Sequence, residues 1–341
     1  LTLSQLMDRY VGEPGARNAL SAMWSYYGLP PSRLSAFYYA VATAGYLRNG
    51  SYYIRERSQA LSDLLADTVE EAGGEVLCGT EARQIRVRNG AVAGVTTTDG
   101  RSFPARAVVS NASAIATFEE MLPQGTLPWD YQERLRGCRP SISCFIVWLG
   151  LNRDLRGTVP WYSTSVTMGR GPEADYEASL RGDVERCGFG VTLFDNLYES
   201  YSRPGTSSLM LLCLSGYEPW RRFESDYREG RKEAYHREKQ RWAETLVRRA
   251  EEQVIPGLSS MIEVREAASP LTCRRYTGNT DGAIYGFEQS LDNAFMNRIE
   301  NRTPVRGLYL ASAWGSPGGG YVGALRAGEE TFRLLMEDWG G

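Results

Sequence analysis

The segment that most restricts the fold of this chain lies near its end, at residues 307–324. The sequence there predicts a short buried strand over 308–311, a glycine-rich turn, and a helix that continues to about residue 338. Glycines in such a turn let the backbone approach a ligand that side chains would exclude. The start of the helix offers free N–H groups and the positive end of its dipole. The segment therefore predicts a cradle for an anionic or electron-rich group.

Length and composition narrow the classes of function. The 341 residues suffice for two domains or for one large α/β unit with an inserted subdomain. A formal net charge of -3 provides no basic field, which argues against a nucleic-acid partner. Six cysteines without a CxxC pair and a single histidine give little basis for a metal site, and scattered thiols fit a reducing, cytoplasmic compartment. There is no run of eighteen apolar residues to predict a membrane-spanning helix.

The N-terminal part of the sequence predicts helices. Apolar spacing indicates one or two helices over 3–28, and Ser32 is expected to cap a further helix over 34–47. That helix is rich in aromatic and small residues. It is interpreted as a core helix packed on both sides, or alternatively as the wall of an apolar substrate tunnel or a membrane-dipping face.

The next part predicts a helix followed by strands. A helix is expected over 59–72, and a strand over 75–78 follows Gly73-Gly74. The buried stripe of the helix is expected to consist of Leu61, Leu64, Leu65 and Val69. Asn89-Gly90 and Asp99-Gly100 are strong hairpin signals, so a three-stranded meander is predicted over 84–108. The apolar run 107–109 then ends in the polar residues 110–112.

From about residue 120 to 268 the pattern indicates a separate inserted subdomain. Strands are predicted over 142–151 and 209–214, with an irregular segment at 152–208 between them. Residues 219–254 are charged and helical. The expected inner face of that helical region consists of Phe223, Tyr227, Tyr235, Trp242, Leu246 and Ala250.

Complete catalytic motifs are absent from the sequence. A Ser/His/Asp site would need His236, which lies in a run of charged residues on a solvated helix face. The glycines at 318–320 lack the lysine of a phosphate-binding P-loop, and no GxGxxG follows a strand. Taken alone, the glycine-rich turn is a weak signal whose simplest explanation is tight helix–strand packing.

Several segments together carry a family resemblance. They are residues 52–61, 73–76, 108–112, 269–279, 286–289 and 308–328. In order and spacing they resemble the phytoene desaturase-like flavoproteins, a group that includes carotenoid isomerases and retinol saturases. The resemblance runs over nearly the whole chain, but it does not separate desaturase, saturase, isomerase and oxidase.

The resemblance implies a mixed α/β fold with non-covalently bound FAD. A Rossmann-like FAD-binding domain, incomplete at its N-terminus, would be built from 51–120 and 269–341. A substrate domain of mixed sheet and helices would be built from 121–268, with 1–50 as its helical part.

The resemblance also implies a set of cofactor-binding residues. Carried over by position, they are Ser58, Ala82, Ser110, Asn111, Ala112, Ser312, Gly319, Gly320, Tyr321 and Val322. Ala82 would lie at the adenine end, residues 110–112 near the strand ends that carry the cofactor, and Ser312 by the pyrophosphate and ribityl chain. Residues 320–322 would lie against the isoalloxazine, where a helix N-terminus stabilises the negative charge of reduced flavin.

The implied reaction is hydride transfer between flavin and an apolar polyene or isoprenoid-type substrate, by desaturation, saturation or isomerisation. No side chain is marked as the acid or base. Arg275, Tyr276, Tyr285 and Glu288 are candidates because they precede the flavin-facing turn, and a structural hydrogen bond is the alternative role of each. Two other functions stay open: an amine- or amino-acid-type flavin oxidase, and a flavin-less binding or assembly protein.

The sequence departs from the family pattern at four points. First, the sequence contains neither the opening strand with its GxGxxG turn nor the acidic residue that binds the ribose. Second, Glu56-Arg57 stand where the family has Gly-Gly. Third, Ala82 replaces a valine, and fourth, Ser312 replaces a glycine. The first departure implies that this chain alone holds FAD weakly. It predicts a fragment, or a partner segment that supplies the ADP-binding part, and homo-oligomers and peripheral membrane contact are further expected partners.

Overall fold

A computed structural model describes residues 1–198 and 200–340, and its helices and strands form two compact units. Unit 1 consists of Leu1–Val41, Thr80–Cys144 and Pro270–Gly341, and unit 2 of Ala42–Gly79 and Phe145–Ser269. The mixed α/β class predicted from the sequence is confirmed.

The elements follow the chain in this order. The helices are α1 (Leu3–Tyr10), α2 (Pro14–Ser21), α3 (Trp24–Tyr27), α4 (Ala36–Asn49), α5 (Arg57–Glu71), α6 (Trp129–Gly137), α7 (Pro172–Arg181), α8 (Glu218–Arg221), α9 (Glu224–Arg228), α10 (Glu233–Gln253), α11 (Pro270–Thr277) and α12 (Tyr321–Trp339). The strands are β1 (Ala82–Arg88), β2 (Ala91–Thr97), β3 (Ser102–Pro104), β4 (Val108–Ser110), β5 (Ser143–Leu151), β6 (Ser163–Val166), β7 (Phe189–Leu193), β8 (Ser207–Ser215), β9 (Ile262–Ala268) and β10 (Leu308–Leu310).

The start of unit 1 is helical, but with shorter helices than the sequence indicates. Three short helices, α1 to α3, replace the one or two predicted, and Thr2 begins α1 with a capping box to Gln5. The prediction that Ser32 caps the next helix is wrong. Ser35 accepts the Tyr38 N–H bond instead, and α4 begins at Ala36 because the backbone just before it pairs with other segments in isolated β-bridges.

Helix α4 is not the core helix that the sequence indicated. Only Ala36 and Tyr39 are buried among its residues, whereas Phe37 is 64% and Leu47 is 84% exposed. The sequence periodicity could not predict which face is exposed, because aromatic and small residues occur all round the helix. The alternative interpretations of this helix stay predictions.

Unit 1 contains the predicted antiparallel meander and a separate parallel pair. Strands β1, β2 and β3 form one sheet, with Asn89 and Gly90 in the left-handed conformations that their turn requires. The third strand ends at Pro104, which has no N–H to continue a ladder. Residues 108–110 form β4 instead, and β4 pairs in parallel with β10, with Leu308 opposite Val108 and Leu310 opposite Ser110.

The core of unit 1 surrounds β10. Phe287 and Trp314 pack edge to face with their centroids 4.8 Å apart, and both are at most 2% exposed. Helix α12 is attached to β10 by hydrogen bonds as well as by packing. Thr331 Oγ1 donates to Leu310 O at 2.6 Å, and the Tyr309 hydroxyl donates to Asp338 at 2.6 Å. The packing therefore fixes the strand, the turn and the helix predicted over 307–338 as one structural element.

Unit 2 is built on a five-stranded sheet in the order β6-β7-β8-β5-β9. Helix α10 buries the predicted inner face, because Tyr235, Trp242, Leu246 and Ala250 are each at most 2% exposed. The prediction of an irregular segment at 152–208 is wrong, since it contains β6, α7 and β7. Glycines and prolines mark the ends of these elements. For example, α7 starts at Pro172 and is followed by Gly182 in a left-handed conformation.

Residues 57–78 of unit 2 depart from the sequence expectation in two ways. Helix α5 forms, but none of its residues is buried, and Leu64, Leu65 and Val69 are 62%, 50% and 45% exposed. The strand predicted at 75–78 does not form. A strand needs a hydrogen-bonded neighbour, and within the described part of the chain none pairs with this segment.

The two residues before Ser58 have left-handed backbones. Glu56 has a φ of 64° and Arg57 a φ of 77°, a conformation that only glycine adopts without cost. These are the two positions where the resembling family has Gly-Gly. Arg57 is held there by its side chain, which donates to Tyr201 O at 2.9 Å and lies over the Tyr201 ring. Two non-glycine residues therefore adopt here a backbone conformation that glycine adopts more easily.

Replacing Glu56 by glycine should stabilise the protein. Relief of the left-handed strain exceeds the entropy that glycine loses on folding, so Glu56→Gly is expected to raise the free energy of unfolding by about 0.5–1 kcal/mol. Urea unfolding followed by circular dichroism measures the change. The control is Asp67→Gly, in the exposed interior of α5, which should lower stability by about 1 kcal/mol. If both substitutions lower the free energy of unfolding, the proposed backbone strain at Glu56 is wrong.

Candidate functional site

The ends of β4 and β10 bring several of the predicted site residues together in unit 1. The Ala311 N–H donates to Ser110 O at 2.9 Å, and the Asn111 amide donates to Ala311 O. Ser110 is buried, and its hydroxyl lies 2.7 Å from that of Thr117. Ser312 follows Ala311 directly. The parallel register therefore brings Ser110 and Asn111 to Ala311, the residue before Ser312, and the cofactor roles assigned to these residues stay predictions.

Ser312 forms part of the turn itself. It is 2% exposed, and its Oγ accepts the Trp314 N–H at 3.3 Å while its carbonyl accepts the Gly315 N–H at 3.2 Å. A serine hydroxyl that bonds to the backbone two residues on is a common turn stabiliser. The serine at this family glycine position thus closes the turn with internal hydrogen bonds.

Asn301, which the sequence interpretation missed, fastens the turn from the side. Its Oδ1 accepts the Ser316 N–H at 3.0 Å and its Nδ2 donates to Ser316 O at 2.9 Å. Its own carbonyl accepts the Leu310 N–H at 2.8 Å. Asn301 is 2% exposed, so these bonds are made away from water. An asparagine ten residues before the turn carries no local sequence signal.

A second missed residue, Arg298, lies behind the same turn. It is 1% exposed, and its Nε donates to Gly315 O at 2.8 Å. Burial lowers the pKa of this guanidinium to about 10, so it is a cation at neutral pH. An isolated arginine next to Ile299 could have been noticed in the sequence only as a charge close to a predicted strand.

The glycines allow close approach on one side of the turn and leave open space on the other. A Cβ on Gly319 would lie 2.7 Å from Tyr285 O, and Gly318 has a φ of 125°. Gly320 begins α12 without a side-chain capping bond, and a Cβ there would meet no atom within 4 Å. A side chain at Gly320 would therefore meet open space, and no side chain caps the first N–H groups of α12.

Tyr321 and Val322 begin α12 and are both largely exposed, at 60% and 69%. Their side chains place apolar surface beside the uncapped helix start. The predicted positions 319–322 thus combine backbone donors with apolar side chains, which suits a flat ring that carries charge at one edge.

The two remaining predicted cofactor residues, Ala82 and Ser58, belong to other elements of the chain. Ala82 is the first residue of β1 and is exposed. Ser58 lies in the first turn of α5, is exposed, and belongs to unit 2, whereas the other predicted cofactor residues belong to unit 1. The roles assigned to Ala82 and Ser58 stay predictions.

The four candidate acid–base residues occupy different surroundings. Tyr285 packs against Gly319, as described above, and its N–H donates to the Ser141 hydroxyl at 2.9 Å. Glu288 is 8% exposed and forms an ion pair with Arg33 at 2.8 Å. Arg275 lies over the Tyr276 ring at 5.4 Å on α11. Of the four, Tyr285 is the one that the structure packs against the glycines of the turn.

Within residues 1–198 and 200–340, no group of three or more His, Cys, Asp and Glu residues is arranged to hold a metal ion. His236 is exposed on α10, beside Tyr235.

No helix in the described part of the chain is both long and apolar enough to cross a membrane.

Comparisons with known proteins show which proteins this chain is similar to. A family model described as flavin containing amine oxidoreductase matches residues 2–333. The All-trans-retinol 13,14-reductase of Macaca fascicularis is 26% identical over 330 residues, which cover 90% of this chain and 53% of that protein. The chloroplastic prolycopene isomerase of Daucus carota is 24% identical over 282 residues, which cover 81% of this chain and 42% of that protein. The chain thus spans about half the length of these curated relatives.

A solved structure shows the same fold. Wild-type putrescine oxidase bound to putrescine superposes with a TM-score of 0.63 at 13% identity, covering 99% of this chain and 68% of that chain. Together with the family match and the curated relatives, this likeness confirms the predicted resemblance to flavoproteins and the predicted fold.

The residues at the turn fit one part of a flavin. The uncapped start of α12 and the open space at Gly320 provide N–H donors for the electron-rich edge of the ring. Ser312 is buried, and both its hydroxyl and its carbonyl accept hydrogen bonds within the turn. The turn accordingly suits the ring end of a flavin cofactor.

Removing the Asn301 side chain should loosen the turn measurably. Asn301→Ala leaves the Ser316 N–H and carbonyl without their partners, and we expect it to lower the free energy of unfolding by about 2 kcal/mol. Urea unfolding provides the measurement, and Asn18→Ala on the exposed face of α2 is the matched control. A loss no larger than that of the control would show that Asn301 does not support the turn.

Proposed function

The chain belongs to the flavin-containing amine oxidoreductase family, and from this we propose that it is the greater part of an FAD-dependent oxidoreductase that acts on an apolar polyene or isoprenoid-type substrate. The observation that carries the proposal is the glycine-rich turn between β10 and an uncapped α12, beside the end of the parallel strand β4. Parallel strands that end next to a helix start form the usual cradle of nucleotide-type cofactors.

The protein residues contribute binding and electrostatics. When bound, the flavin supplies the hydride-transfer chemistry. The first N–H groups of α12 stabilise negative charge on a bound ring through hydrogen bonds and the helix dipole. Tyr321 and Val322 provide apolar surface that keeps water from a reacting carbon atom. No acid or base is needed for these roles.

The substrate class is argued from the relatives and from the chemistry of the turn. The two curated relatives carry retinol and prolycopene in their names, and both of these compounds are conjugated polyenes. The side chains exposed at the start of α12, Tyr321 and Val322, are an aromatic and an aliphatic one, and neither carries a carboxylate. Such surroundings favour an uncharged hydrocarbon over a cation.

Oxidation of an amine is the second candidate. The description of the matched family and the shared fold of putrescine oxidase favour it. An amine substrate would need an acceptor for its N–H groups beside the flavin. The two functions differ in which substrate bleaches the bound flavin.

We also propose that a strand–turn–helix segment outside these 341 residues completes the cofactor site. Among the described residues β4 and β10 form a sheet of two strands, extended at β10 only by an isolated bridge between Tyr309 and Arg302, and such short parallel pairs are rarely stable without further strands. Val109 on β4 is 48% exposed, and α12 exposes Leu325, Phe332 and Met336. An exposed strand beside an exposed apolar helix face suits a segment of the same kind. That segment would carry the ADP-binding turn.

The six cysteines are free thiols, which fits the reducing cytoplasm that we propose as the compartment. Contact with a membrane surface, from which an apolar substrate could be drawn, belongs to the same proposal.

An absorbance spectrum tests the proposal directly. We expect the protein, expressed from its natural start codon and purified, to contain FAD and to show an absorbance band at about 450 nm. Polyenes added without oxygen should bleach that band, and amines should not. Bleaching by amines alone would favour the second candidate, and a colourless full-length protein would refute both flavin enzymes in favour of a non-catalytic relative.

Gly319→Ala should weaken FAD binding selectively. The added Cβ would lie 2.7 Å from Tyr285 O, so the turn must move, and we expect the affinity for FAD to fall by about tenfold or more. Fluorescence titration of the flavin-free protein measures the affinity. Gly12→Ala, whose Cβ would meet no atom within 4 Å, is the control and should leave the affinity unchanged. Equal affinities in both variants would contradict the placement of flavin at this turn.

A further inference from the structure

Arg298 is a buried arginine whose hydrogen bonds all go to neutral oxygens. Besides its bond to Gly315 O, its Nη1 donates to Gln289 Oε1 at 3.1 Å. No carboxylate in the described part of the chain forms an ion pair with it. A buried charge is usually paired, so an unpaired one requires an explanation.

The guanidinium joins two other segments of unit 1. It donates to the carbonyls of Phe287 at 3.4 Å and Asn293 at 3.2 Å in the segment 287–293, and to the Ala313 carbonyl at the start of the turn. The planar fork of arginine can make these bonds at once, and a lysine cannot. Arg298 therefore fixes the turn against the segment 287–293.

The guanidinium also lies directly behind the glycines. A Cβ on Gly318 would lie 3.4 Å from Arg298 Cζ, whereas a Cβ on Gly320, two residues on, would meet open space. The turn thus has the cation on one side and the uncapped start of α12 on the other.

The charge is not neutralised by nearby titratable groups. Tyr38 and Cys138 are the two that act on it electrostatically. Burial raises the pKa of the Tyr38 hydroxyl and the pKa of the Cys138 thiol, so both groups are uncharged at neutral pH. A net positive charge remains behind the turn.

We propose that Arg298 is a positioning residue that holds the turn in its flavin-binding shape, and that its unpaired charge favours reduced over oxidised flavin. Reduced flavin carries negative charge, and a fixed cation in a dry, low-dielectric setting stabilises that form more than the neutral oxidised form. The inference rests on the proposed function, because it concerns the same turn.

Two substitutions separate the two roles. Arg298→Lys keeps the charge but loses most of the hydrogen bonds, and Arg298→Gln loses the charge. We expect both to weaken FAD binding by about tenfold, because the turn is less well held. Only Arg298→Gln should lower the ratio of affinities for reduced and oxidised FAD, by about tenfold, which is about 30 mV in the midpoint potential of a two-electron couple. Dye-equilibration measurements of the potential give that ratio.

A flavin-independent measurement accompanies the titrations. In the flavin-free protein, amide hydrogen exchange of residues 313–318 should be faster by about tenfold in both variants than in the unmodified protein. The control is Arg306→Gln, an exposed arginine whose loss should change neither exchange nor potential.

The outcomes distinguish the possible failures. An unchanged potential in Arg298→Gln would refute the charge effect, and unchanged exchange in both variants would refute the positioning role. If the unmodified full-length protein binds no FAD, the proposed function fails together with the charge effect, and the exchange rates still decide whether Arg298 holds the turn.

Discussion

The parallel pairing of β4 with β10 is the contact on which the candidate site depends. It spans three residues on each strand, and it places the polar end at Ser110 beside the first residues of the glycine-rich turn. Helix α12 is in turn bonded to β10 through Thr331 and Asp338. Because strand, turn and helix are fixed together, the start of the helix can be held at a defined place although no side chain caps it.

The sequence predicted the elements with strong local signals. The meander followed from Asn89-Gly90, and β10 and α12 followed from an apolar run, glycines and helical spacing. It failed where the outcome depends on distant partners. Among the described residues, no strand pairs with the segment 75–78 despite its strand-like composition, and no residue of α5 is buried. The local sequence pattern of a segment does not show whether another segment of the chain pairs with it or packs against it.

The same limit applies to the site. Glycines and a helix start can be read from the sequence, and a family resemblance extends them to residues 110–112. The groups that hold the turn, Arg298 and Asn301, come from a neighbouring segment and act through hydrogen bonds to backbone atoms. Such bonds leave no periodicity, and side-chain identity alone does not distinguish a buried arginine from a surface one.

The exposed edge of β4 and the bare face of α12 have a practical consequence for handling this polypeptide. Unpaired strand edges next to apolar surface are templates for self-association, since a second copy can add its own strand. The 341 residues expressed by themselves should therefore form soluble aggregates as their concentration rises. Light scattering at low and high concentration would then report on this uncovered surface before any enzymology is attempted.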